Sequence, residues 1–363
     1  MYKKQADKLR QILVHRKPLS FFKKDRDYLI LKKVVENREQ IAHIIELNGL
    51  KDKDRLFLII KIYQEYLMKE KNTGPYGRLI IRKKYVRMNT LAPSLPNKEN
   101  NTENDNFLPE NQALNKTQIQ MIQNYGLKET GLPFLYELPL NRSIKLSVQR
   151  QYIIQNLPTV LPPLLLNPQM HSTVIDACAA PGNKTSHLAA IMRNTGKIYA
   201  YERDEYRFNT LKENLDACHV KNTVCLNENF LNNKMPAEYI LLDPSCTGSG
   251  IHLNYKENEK NTASFHVEQV CLLKKALRNE SAKRVVYSTC SIHEKENEEV
   301  VASVIRHFYK EWRLEKIETD FGRKGSKKYE FHENVLYFDR GETIGFFCAV
   351  FVRKKHFGST DTE

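Results

Sequence analysis

From residue 173 onward the chain repeats one pattern: a short apolar run that ends on a polar residue, then a longer stretch with helical spacing. The apolar runs occupy 173–176, 197–201, 222–226, 239–243 and 284–288, and patterns such as 205–218 separate them. Parallel neighbours cannot be joined by a tight turn and need a crossover of helical length, so this alternation predicts an α/β fold with a largely parallel sheet. Segments 312–317 and 345–352 predict two more strands at the C-terminal end. In an open sheet of this kind ligands sit at the carboxyl ends of the strands, where the strand order reverses. The polar motifs of the chain fall there.

The first motif is VIDACAAPGNKTSHLAA at 174–190: a strand ending on Asp176, a turn of small residues with Pro181 and Gly182, and a helix from about Lys184. Small side chains let a ligand approach the backbone. A dinucleotide fingerprint needs G-x-G-x-x-G, and this turn has only Gly182; a phosphate-cradling loop needs glycines where Cys178 and Asn183 stand. The second motif, IYAYERDEYR, delivers Glu202 to a strand end about twenty residues later, the place of an acidic acceptor for a ribose diol. By itself such a residue is more often simply solvated.

The third motif is YILLDPSCTGSG at 239–250, which carries Asp243 and Cys246 to one strand tip. The fourth is RVVYSTCSIHEKENEEVV at 284–301, where Ser288, Thr289 and Cys290 precede a helix opened by Glu294, Glu296 and Glu298. Negative residues suit a helix start, and a helix N-terminus beside Cys290 would lower its thiol pKa. A single cysteine is usually a small buried hydrophobe. Two at strand tips, both flanked by polar residues and one beside an acid, are harder to explain by packing. Cys178, Cys218, Cys225, Cys271 and Cys348 take the structural reading. His187 or His293 could serve as base in a Cys–His hydrolase, but no third member of a triad and no oxyanion hole is evident.

The seven cysteines show no C-x-x-C pair, so neither a zinc knuckle nor a disulfide scaffold is indicated. The net charge of +14 is concentrated at one end: residues 1–90 hold 23 Lys and Arg against 10 Asp and Glu. That is the footprint of a polyanion partner, the plainer alternative being a solvated basic surface. Leu9, Ile12, Leu13, Leu29, Leu31, Val34, Val35, Ile41, Ile44 and Ile45 recur at helical intervals, and 55–68 continues the pattern. Segment 91–123 is rich in Asn and Pro and poor in apolar residues, which predicts a loop or linker. No apolar run is long enough to span a membrane, and the N-terminus lacks a secretory h-region, so a soluble intracellular protein is expected.

Together DACAAPGNKT, LLDPSCTGSG, YSTCSIHEKENEEVV and the terminal IGFFCAVFVRK closely resemble the Sun family (RsmB-like) of RNA cytosine-5 methyltransferases. VRMNTL at 86–91 resembles the opening of that family's small RNA-binding subdomain, and CAAPGNK with YSTCSIH is most similar to the eukaryotic branch acting on large-subunit rRNA. The resemblance implies a Rossmann-like class I S-adenosylmethionine-dependent methyltransferase domain at 141–363. It also implies a small RNA-binding subdomain at 85–140 and a basic helical RNA-binding region at 1–84. It implies S-adenosylmethionine as cofactor, no metal, RNA (rRNA or pre-ribosomal particles) as partner, a monomer, and a nuclear, nucleolar setting. By the same resemblance Cys178, Ala179, Ala180, Pro181, Gly182, Asn183 and Lys184 wrap the cofactor, Glu202 takes its ribose hydroxyls, and Arg207, Asn229 and Asp243 complete its site. Glu202 stands where the family has Asp, Asn229 where it has an acid, and Gln155-Asn156 where relatives favour Gln-Asp.

Carbon 5 of cytosine is too weak a nucleophile to be methylated unaided, so a thiolate must first add at carbon 6. The resemblance gives that attack to Cys290, release to Cys246, the contact at ring N3 to Asp243, and electrostatic help to Lys184. The alternatives are a non-catalytic ribosome-assembly factor on the same fold, and a methyltransferase of DNA or protein. If the basic segment holds RNA phosphates, affinity falls steeply with salt, and deleting residues 1–84 flattens that dependence. Filter-binding titrations across a salt series check this; an unchanged slope places RNA elsewhere.

Overall fold

The structure, a computed structural model, describes residues 83–93, 114–139, 150–251 and 259–354, with residue 144 and scattered positions in 8–59. The chain divides into two compact units: 1–84 with 138–145, and 85–137 with 146–363. In the first unit Leu9, Leu31, Val34 and Ile59 are helical and buried, as their spacing predicts. The rest of the proposed basic helices lies outside the described residues.

The second unit is built on a nine-stranded mixed sheet. Five strands run parallel: β5 (Thr173–Asp176), β6 (Lys197–Tyr201), β7 (Thr223–Leu226), β8 (Tyr239–Leu242) and β9 (Arg284–Thr289). Beyond β9 come β13 (Phe346–Arg353), β12 (Val335–Phe338) and β11 (Arg323–Lys324), all antiparallel, with β10 (Trp312–Leu314) on β13. Leaving β5, the chain winds through β6 and β7 to one side and then returns to β8 and β9 on the other. The order reverses between β5 and β8.

Period-two alternation assigns each strand residue to a face. Ile175, Ile240, Leu242, Val285, Tyr287, Phe347 and Phe351 enter one core with Leu273, Ala276 and Leu277 of helix α5 (Glu259–Leu277) and Val300, Val301 and Val304 of α6 (Glu298–Phe308). Val174, Tyr239, Leu241, Val286, Phe346 and Val350 enter the other. There they meet Leu161 and Leu166 of α2 (Leu157–Leu166) and Leu188 and Ala189 of α3 (Asn183–Ile191). Helix α4 (Glu205–Ala217) packs Leu211 and Leu215 on Ala179, Ala180 and Ala200.

A four-stranded sheet, ordered β2 (Lys128–Glu129), β3 (Leu135–Leu138), β1 (Lys84–Met88) and β4 (Tyr152–Ile154), precedes the large one in sequence. Between its strands lies a departure from the sequence expectation. Residues 116–125, partly inside the stretch predicted to be a loop, form helix α1 (Lys116–Tyr125). A capping box closes its start, Asn115 accepting from Gln118 N and Gln118 from Asn115 N, and Gly126 ends it at φ +61°. Buried Gln118 donates to Asn89 O (2.8 Å) and Gln151 O (2.9 Å), so polar amides rather than an apolar stripe anchor this helix. Hydropathy does not register such an anchor.

Arg87 of β1 is fully buried. Its Nε donates to Gln155 Oε1 (2.9 Å) and its Nη2 to Ser186 Oγ (2.9 Å) and Asn183 O (3.2 Å), tying the small sheet to the first turn of α3. Burial pulls the guanidinium pKa down to about 10, partly countered by the Cys218 side chain. Arg87→Met keeps most of the volume but removes three buried hydrogen bonds and leaves Gln155 Oε1 without its donor. It should lower stability by about 2–4 kcal/mol, read as a lower urea midpoint with unchanged m-value.

Candidate active site

Parallel pairing in register sets the tips of β5, β8 and β9 side by side. Asp176 lies beside Leu241, and Leu242 beside Tyr287, so the next residues, Asp243 and Ser288, are neighbours. Ser288 Oγ donates to Asp243 Oδ1 (2.6 Å), and Lys184 Nζ, from the first turn of α3, forms a very short ion pair with Oδ2. Burial alone would lower the Lys184 pKa, but the Asp243 carboxylate outweighs it and raises it. Lys184 also sits 5.7 Å from the centre of the Phe346 ring, which lines the same cavity.

The two strand-tip cysteines meet. Cys246 Sγ and Cys290 Sγ are 3.0 Å apart, in hydrogen-bond contact. The Cys290 thiol is drawn below its ordinary pKa first by that hydrogen bond, against burial and the Asp243 charge, with Lys184 assisting. The Cys246 thiol is pushed well above it by the same hydrogen bond and by burial. The two shifts run in opposite directions, and of the pair Cys290 is the sulfur whose thiolate is favoured. The sequence suggested a helix N-terminus as the activating element. In the structure a short 3-10 turn at Glu294–Glu296 intervenes and α6 begins only at Glu298, so Cys246 and Lys184 take that part instead.

Cys290 opens onto a cavity of about 330 Å³ that also receives Cys178, Ala179, Ala180, Pro181, Asn183, Lys184 and Asp243, with Ile154, Ile251 and Phe346 as apolar walls. A second concavity holds Cys178, Glu202, Arg207 and Asn229, with Phe230 and Leu272 beneath them. Cys178 belongs to both, so one loop separates and joins the two. Glu202 is nearly buried and accepts from Asp204 N (3.0 Å). Arg207 reaches Ala180 O (3.0 Å) and Glu202 Oε2 (3.5 Å) and so braces the loop. Asn229 spends its side-chain oxygen on Leu231 N (3.0 Å). Gly182, at φ +102°, lines neither hollow; a Cβ there would stand 3.1 Å from Leu211, so its bare backbone lets α3 meet α4.

The structure separates the remaining candidates from the chemistry. His187 lines a different cavity, with Arg87 and Arg193, where burial and then Arg87 hold its pKa well below the usual value. Burial raises the thiols of Cys178 and Cys348. Sequence reasoning passed over Asp176, Ser288 and Glu296, all buried polar residues around the cysteines. Asp176 marked the strand end in the motif, and three glutamates at a helix start gave no sign that Glu296 turns inward.

Residues 163–352 match the family model described as 16S rRNA methyltransferase RsmB/F. The chain belongs to this family. Among curated proteins it is 40% identical over 224 residues to the 26S rRNA (cytosine-C(5))-methyltransferase nsun-5 of Caenorhabditis elegans, covering 57% of this chain and 51% of that one. It is 36% identical over 237 residues to a 28S rRNA (cytosine-C(5))-methyltransferase of Mus musculus, covering 60% and 49%. The chain thus spans about half the length of the curated relatives it matches. Among solved structures, a methyltransferase homologue from Pyrococcus horikoshii superposes with TM-score 0.60 at 25% identity, covering 87% of this chain and 99% of that one. NSun6 from the same organism, solved with SFG, shares the fold at TM-score 0.61 and 19% identity, covering 88% and 98%.

Burial raises the carboxyl of Asp176 from 3.8 to about 7, opposed by the Thr185 hydrogen bond and by Lys184 and abetted by Asp243. A folded pKa above the unfolded one favours folding below pH of about 4, and that contribution is lost as pH rises through about 7. Asp176→Asn cannot ionise and escapes the loss. Its stability relative to the parent should therefore improve between those pH values, by on the order of 4 kcal/mol. Urea unfolding at several pH values checks this; a gap independent of pH would refute it.

Proposed function

We propose that this protein is an S-adenosylmethionine-dependent RNA (cytosine-5) methyltransferase acting on large-subunit rRNA, with Cys290 as nucleophile and Cys246 aiding release. The observation that carries the reading is the pair of sulfurs 3.0 Å apart, their thiol pKa values shifted in opposite directions, at a cavity shared with Lys184 and Asp243. The rRNA target rests on the names of the relatives, and a nuclear, nucleolar setting follows from such a target.

The residues present fit the cofactor. Glu202 offers a nearly buried carboxylate at a strand end, suited to a ribose diol, and Phe230 and Leu272 give an apolar bed for an aromatic ring. The small residues Cys178, Ala179 and Ala180 allow close approach, and the loop leads directly from that hollow to the Cys290 cavity. When bound, S-adenosylmethionine supplies an electrophilic methyl group. Arg207 braces Ala180 and Glu202, and Asn229 borders the far end.

A cytosine reaching this cavity must leave its stack, which favours single-stranded or locally opened RNA. The Cys290 thiolate bonds to carbon 6, and the displaced pair of the C5–C6 double bond makes carbon 5 the nucleophile that would take the methyl group, the pair of the broken S–CH3 bond staying on the donor's sulfur. Asp243 faces ring N3 and relays a proton from the Lys184 ammonium to N3 as negative charge develops in the ring, and the proton returns by the same path when the base is released. Loss of the carbon 5 proton to solvent base restores the double bond, and the S–C6 bond breaks with its electron pair on Cys290. Cys246, in hydrogen-bond contact with that sulfur, donates to and stabilises the departing thiolate.

Cys290→Ala should abolish both methyl transfer and the covalent RNA adduct. Cys246→Ala should permit attack and transfer yet retard release, so a protein–RNA species should persist on a denaturing gel. The reverse pattern exchanges the two roles, and methylation of neither rRNA nor its transcripts by the parent protein favours the non-catalytic assembly factor.

A further inference from the structure

Glu296 lies in the 3-10 turn between Cys290 and α6 and is wholly buried. No described cation is within ion-pairing distance of it, and its carboxylate is instead surrounded by hydrogen-bond donors. Oε1 accepts from Thr247 N (2.9 Å) and Gln269 Nε2 (3.2 Å), and Oε2 from Thr247 Oγ1 (2.6 Å) and Ser291 Oγ (2.5 Å). Thr247 follows Cys246, and Ser291 follows Cys290. One carboxylate thus clasps the residue next to each reactive sulfur. Gln269 completes the clasp by donating also to Ser245 O (3.0 Å), the residue before Cys246. Tyr287 OH donates to Glu296 O (2.6 Å) and holds the turn from β9.

A buried charge without a counter-ion is costly, and an apolar residue would close this interior more cheaply if packing were the only demand. The cost is understandable if the charge itself is used. We propose that Glu296 is a positioning residue that brings the Cys246 and Cys290 loops together and places its buried negative charge on the Cys246 side of the pair, so that the two cysteines hold different roles. The inference rests on the methyltransferase reading for its consequence in release, but not for its thiol chemistry.

The titratable groups facing the two sulfurs are Glu296 and Tyr287 on the Cys246 side and Asp243 and Lys184 on the Cys290 side. The Cys246 thiol is held up first by its hydrogen bond to Cys290 and by burial, with the Glu296 charge adding to both. Glu296→Gln isolates the charge. Its carbonyl oxygen can still accept from Thr247 N and Gln269, while its amide can donate to the two hydroxyls, so the clasp is kept.

Full-length protein and the variants are treated with iodoacetamide across the neutral to alkaline range, and alkylation of each cysteine is followed by peptide mass, with exposed Cys271 as the internal standard. In Glu296→Gln the Cys246 profile should move to lower pH, with about tenfold more thiolate at a given pH for each unit of displacement. Glu296→Ala and Thr247→Val loosen the clasp. With unmethylated large-subunit rRNA and labelled S-adenosylmethionine they should accumulate the covalent protein–RNA species, as is expected of Cys246→Ala. An unmoved Cys246 profile in Glu296→Gln overturns the electrostatic role. Release at the parental rate in a folded Thr247→Val or Glu296→Ala overturns the positioning role. The alkylation profile needs neither RNA nor cofactor, so it stands even if the parent protein proves to methylate no RNA.

Discussion

Everything at this site depends on the lateral registration of three parallel strands. β5, β8 and β9 end at one level because backbone hydrogen bonding fixes Asp176 beside Leu241 and Leu242 beside Tyr287. A slip of one residue would turn Ile240 and Leu242 out of one core and Tyr239 and Leu241 out of the other. The two apolar faces therefore lock the register, and the register in turn sets where Asp243, Ser288 and the two cysteines emerge. Chemistry at the strand tips is held by packing well below it.

Above that platform, polar groups are buried in unusual density. Arg87, Asp176, Glu296, Asn297 and Glu298 are all almost inaccessible, and their hydrogen bonds are largely to side chains and to loop backbone. Thr289 donates to Asn297, which itself donates to Ser291 O and Tyr337 OH, so the loop carrying Cys290 is fixed from both sides. An apolar filling would stabilise the interior at less desolvation cost, but it would not dictate a single loop geometry. A nucleophile that must meet a methyl donor and a base in one orientation depends on that definition.

The neighbouring hollows and the shared Cys178 loop give a division of space suited to a reaction between two ligands. One side presents an acid and an apolar bed, the other a polarised thiolate with an ion pair, and the wall between them is made of small residues. Family membership agrees with this layout, since residues 163–352, which match the family model, contain β5 through β10, α3 through α6 and all but the last residue of β13. The four-stranded sheet before it is tied in through Arg87, whose partner Gln155 also lines the cavity of Cys290.

Much of this was legible in the chain itself. Alternating apolar runs gave the parallel strands, because a strand buried on both faces needs little but apolar residues and is recognisable without its partners. Cys246, Cys290, Asp243, Lys184 and Glu202 stood out because each directly follows such a run or its turn. What the sequence could not convey was adjacency across the sheet. Cys246 and Cys290 are 44 residues apart, and their opposite pKa shifts arise from a contact that only the order β5, β8, β9 creates. Helix α1 was hidden because amides anchor it, and Glu296 because a glutamate before a helix looks the same whether it meets water or four buried donors. Local pattern determined the strands and the residue types at their tips; tertiary structure decided which of those residues touch, and hence in which direction each thiol's pKa is shifted, because hydrogen bonding and desolvation depend on neighbours that sequence distance does not reveal.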